Sequence, residues 1–183
     1  MTRISDALER LRTAGSRVSS ADSDAALEEP KFGPGCCSGE LDELEAWWAD
    51  GLPDDYREYL QLCRSVAAPD VGSGYFLYSP LLLVCRDYTI PKLVHVTLHT
   101  TLQEVFVAAI GGDGGGSQFL LGMSAAGRGR VWKWSHEYPV RFDGMAKDGL
   151  TSLAESFSQF LERVGDDWEH FLAGDKSWSY MSG

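Results

Sequence analysis

The chain has 183 residues, 44% of them hydrophobic and 11% aromatic, which suits one well-buried core and is short for two. Sixteen Lys and Arg against 27 Asp and Glu leave a formal net charge of −11. That balance speaks against direct nucleic-acid binding, which needs cations to displace counterions from phosphates.

The first stretch, MTRISDALERLRTAG, predicts a short amphipathic helix with Ile4, Leu8 and Leu11 on one face. It has no unbroken apolar core of the kind a signal peptide carries, and no run in the chain approaches the roughly 20 apolar residues of a membrane helix. The expected compartment is therefore the cytoplasm, with no membrane partner. The following GSRVSSADSDAALEEPKFGPGCCSG is rich in Ser, Gly, Pro and small residues and reads as a linker. Residues 1–37 are thus expected to be a helix and flexible linker, 38–173 the compact domain and 174–183 a tail.

Ser38 is placed to cap a helix running to Trp48, with Leu41, Leu44 and Trp48 on its inner face. Gly51 ends it, and LPDDYREYLQLCRSV opens a second helix with Pro53 in the first turn. Tyr56, Leu60 and Cys63 form the stripe expected to be buried, with Tyr59 beside it. Acid crowds this unit: Glu40, Asp42, Glu43, Glu45, Asp50, Asp54, Asp55 and Glu58 surround a single base, Arg57. Such a run is either a solvated helix face that aids solubility or an acidic surface that steers a basic partner.

The middle of the chain is β-branched and aromatic. GYFLYSPLLLVCRDYTI and KLVHVTLHTT, then QEVFVAAI, SQFLLGM and GRVWKWSHE, predict an antiparallel meander. From Leu150 the residues Leu153, Phe157, Phe160, Leu161 and Val164 regain helical period, with a cap expected near Thr151 or Ser152. DDWEHFLAG adds a final helical turn. Helices, then strands, then helices define an α+β fold, with one antiparallel sheet packed by N-terminal and C-terminal helices.

Candidate chemistry is sparse. The loop IGGDGGGSQF lacks the Gly-Lys-Ser/Thr ending of a phosphate loop, leads into a strand, and carries Asp113, which would repel phosphate. A hairpin turn explains its glycines, since such turns need positive φ. Replacing Asp113 with alanine is then expected to leave folding nearly intact, and valine at Gly114 or Gly115 to destabilise it if either has positive φ. His95 and His99 would lie roughly 13 Å apart along a strand, too far to share a metal. Cys36 and Cys37 are vicinal and no CxxC pair exists, so neither a metal nor a cofactor is expected. His136 and Glu137 are strand neighbours that point to opposite faces. Trp132 and Trp134 share a face, as core or as an exposed aromatic strip.

Four features in order are an acidic helix, LPDDYREYL, the strand pair IGGDGGGSQFLLGMSAAGRGRVWKWSHE, and a helix carrying LAESFSQFLERV. This order resembles the SMI1/KNR4 family, the SUKH superfamily, over roughly Ser38 to Val164. The positions that carry it are Leu52, Pro53, Tyr56 and Arg57; Ile110, Gly111, Gly114 and Gly115; Val131, Trp132 and His136; and Ala154, Ser156, Phe157, Phe160 and Leu161. The chain departs from the pattern in having SVAAPDVGSG after the second helix, and Ser117 and Gln118 after the glycine turn.

The resemblance implies a non-enzymatic protein-binding domain. Many bacterial members look like immunity proteins that block a delivered toxin, often a nuclease, whose basic site an acidic domain can cover. Contacts are expected first at Asp54, Asp55 and Glu58, then at Asp113 and Trp134. The alternatives are a regulatory scaffold of the same fold that binds signalling or cell-wall proteins, and a hydrolase using His136 with Glu137 or Asp113.

Overall fold

The computed structural model describes residues 3–21, 29–46, 50–68, 75–77, 96–100, 103–113, 115–138 and 149–175. It has the expected α+β architecture: antiparallel strands form one sheet, and helices pack on one of its faces.

Helix α1 spans Arg3–Ala21, longer than its sequence suggests. It passes through Gly15, where a β-carbon would meet Pro30 Cγ at 2.4 Å, so close packing rather than a helix end accounts for that glycine. Strand β1, Lys31–Phe32, follows. Helix α2 is Ser38–Glu45, and Cys37 rather than Ser38 is its N-cap. The Glu40 carboxylate accepts from the Cys37 N–H at 2.8 Å, closing a capping box. Trp47 and Trp48 lie outside the described residues. Helix α3 is Asp54–Leu62, with Pro53 at its N-cap. Tyr56, Tyr59, Leu60 and Cys63 are all buried, as the helical period requires.

Strands β2 (Val66–Ala68), β3 (Tyr75–Leu77), β4 (Val96–Thr100), β5 (Gln103–Gly112), β6 (Gln118–Gly122), β7 (Val131–Trp134) and β8 (Leu150–Ala154) complete the sheet. The order is β1-β2-β3-β5-β6-β7-β8, with β4 also paired to β5, and every pairing is antiparallel. The expected meander is therefore present from β5 to β8. His95 and Cys85 lie outside the described residues.

Two expectations for the C-terminal part change. Residues 150–154 form a strand paired to β7, not the first turn of a helix. The last helix, α4, is one continuous element, Phe157–Leu172, capped by Ser156, whose Oγ accepts from Gln159 N at 3.1 Å. Gly165 does not divide it, because Arg10 of α1 lies against that position, 3.3 Å from where a β-carbon would sit.

Alternation sorts the strands into two faces. Ala108, Ile110, Phe119, Leu121, Val131 and Leu153 join the main core with α1, α3 and α4. Val107, Ala109, Leu120 and Trp132 form a second buried cluster, against which Trp134 and Leu150 pack. Helix α1, which the sequence reading set outside the compact domain, supplies Ile4, Leu8, Leu11 and Ala14 to the main core. Its ion pairs Arg3–Glu162 and Arg10–Glu169 keep a constant sequence offset, so α1 runs parallel to α4. An aromatic cluster locks α3 to α4, with the Tyr56 and Phe157 rings edge-on at 4.9 Å and Tyr59 5.0 Å from Phe157.

Candidate functional site

The acidic run falls on α2, the connection after it, and α3. Its carboxylates divide by what they touch. Glu40 meets Arg64 at 3.1 Å and caps α2 through Cys37. The Cys37 N–H, opposed by burial and helped by Arg64, holds the Glu40 carboxyl below its usual range. Glu45 pairs with Arg57 at 2.8 Å, tying α2 to α3. One oxygen of Asp55 accepts from the Tyr56 N–H, and the other from the Ser158 N–H at 2.8 Å. Asp55 thus caps the first turn of α4 across more than a hundred residues of sequence, where the helix dipole favours a negative charge. Asp42, Glu43, Asp50 and Asp54 are exposed.

The expected contact residues therefore do not form one set. Asp54 stands exposed at the start of α3, whereas its neighbour Asp55 is turned inward to α4. Glu58 is half-buried, and its Oε1 is sealed from water with no hydrogen-bond partner among the described residues. Trp134 is half-buried against the second cluster, its indole nitrogen likewise sealed and unpartnered.

Asp113, expected as a partner contact, is buried at 9% exposure. The turn between β5 and β6 is built around its carboxylate. Oδ1 accepts from the N–H groups of Gly115 at 2.9 Å and Ser117 at 3.1 Å, and Oδ2 meets Lys133 Nζ at 3.1 Å. Burial opposes the charge, but Lys133, the Gly115 N–H and the Ser117 side chain outweigh it and hold the carboxyl below its ordinary value. Positive φ in this turn belongs to Gly116, at 103°, and not to Gly115. Gly114 lies outside the described residues. The His136 ring packs over Gly116, with Cγ 3.2 Å from where a β-carbon would sit. Asp113 is committed to Lys133 and to the turn.

Several basic residues escaped the sequence reading although they hold this surface in place. Arg128, in the connection from β6 to β7, donates to the carbonyls of Gly51 at 3.2 Å and Leu52 at 2.6 Å. It thereby pins Gly51 and Leu52, which lie between the exposed Asp50 and Asp54. Arg64 donates to the Gly35 carbonyl at 3.1 Å as well as to Glu40. Neither arginine sits at a helical or strand spacing from its partner, so no local pattern announces either role.

What the arrangement offers is a negatively charged surface: Asp42, Glu43 and Asp54 stand exposed on the helices and Asp50 between them, while Glu40, Glu45 and Asp55 are spent on internal ties. Among the described residues, no group of three or more His, Cys, Asp and Glu side chains is placed to hold a metal ion. No helix among them is long and apolar enough to cross a membrane.

No curated protein matches the sequence. Residues 35–163 match the SMI1 / KNR4 family (SUKH-1), a stretch that begins just before α2, takes in the acidic surface, strands β2 to β8 and the glycine turn, and ends within α4. The chain belongs to the SMI1 / KNR4 family.

Proposed function

We propose that this protein is a non-enzymatic binding domain acting in the cytoplasm as an immunity protein. It neutralises a cognate toxin of a polymorphic or contact-dependent system by covering a basic toxin domain, such as the substrate site of a nuclease. The observation that carries this reading is the exposed set Asp42, Glu43, Asp50 and Asp54 on the α2–α3 unit of a chain with net charge −11. Family membership supports a protein partner. Carboxylates on a pinned framework attract a basic surface at long range and lose little conformational freedom on contact.

Asp54 is the foremost contact. Asp55 acts on binding by tying α3 to α4, and Glu58, Asp113 and Trp134 are the further contacts of the proposal. The test is co-expression with the toxin encoded beside this chain's gene. Cells carrying both survive if the reading holds, and a variant reversing Asp42, Glu43, Asp50 and Asp54 to lysine protects less while remaining folded. Toxin killing unchanged by the native chain sinks the proposal. Full protection by the reversed variant removes the acidic surface from it.

A further inference from the structure

We draw no further inference here: the strongest candidate, the thiol cluster of Cys36, Cys37 and Cys63 where α2 begins, has two of its three thiols buried with their pKa raised by that burial, and nothing among the described residues marks a ligand at the exposed Cys37.

Discussion

Asp54 and Asp55 are adjacent and chemically identical, yet they face different tasks. Asp55→Ala removes the acceptor for the Ser158 N–H and should cost about 0.5–2 kcal/mol, the usual value of a helix cap. Asp54→Ala, at an exposed position, should stay within about 0.5 kcal/mol. Urea denaturation of both variants checks this, and equal midpoints would refute it. Asp113→Ala leaves two N–H groups and Lys133 without their acceptor, so a loss of about 1–3 kcal/mol is expected in place of near-intact folding. Because the folded Asp113 carboxyl is held below its unfolded value, its contribution is complete above the ordinary aspartate pKa. It fades as the pH falls through the lower folded value. The stability difference between native protein and Asp113→Asn should therefore shrink on acidification over that interval. In the same turn, valine should be tolerated better at Gly115 than at Gly116, which combines positive φ with the overlying His136 ring.

At the scale of elements, α1 is held by two kinds of contact whose sizes differ. The pairs of Arg10 with Glu169 and Asp166 join side chains that are 35–47% exposed, where solvent screening leaves roughly 0–1 kcal/mol per pair. Leu11 is fully buried in the main core, and Leu11→Ala should cost about 2–5 kcal/mol. Thermal unfolding in low and high salt separates the two contributions. Loss of stability in Leu11→Ala should be indifferent to salt, whereas the smaller loss in Arg10→Met should diminish as salt rises. A larger effect for Arg10→Met than for Leu11→Ala would make α1 an electrostatic attachment instead of a core element.

Across the whole molecule, packing governs the fold, and the proposed function assigns the approach of a partner to charge. Reversing the exposed carboxylates of α2 and α3 to lysine should slow association with a basic toxin domain by about 10- to 1,000-fold at low salt, with little effect on thermal stability. Stopped-flow association at increasing ionic strength checks this, and a rate insensitive to both salt and substitution would eliminate steering.

The α+β class, the stripe of α3, the β5–β6 hairpin and the shared face of Trp132 and Trp134 were legible in the sequence, because hydrophobic period and turn glycines are local signals. The motif order was legible too, and the family match agrees with it. The end of α1, the strand at 150–154 and the unbroken α4 were not. Gly15 and Gly165 lie inside helices, and in space each is a place where another side chain comes close. The cap of α4 had a local signal in Ser156 and Gln159, three residues apart, which the apolar period starting at Leu150 obscured. The sequence by itself determined how much acid this protein carries and on which helices. Only the tertiary structure decided which carboxylates remain available, because Arg57, Arg64, Lys133 and the Ser158 N–H reach theirs from elements remote in sequence, and burial distinguishes a tie from a contact.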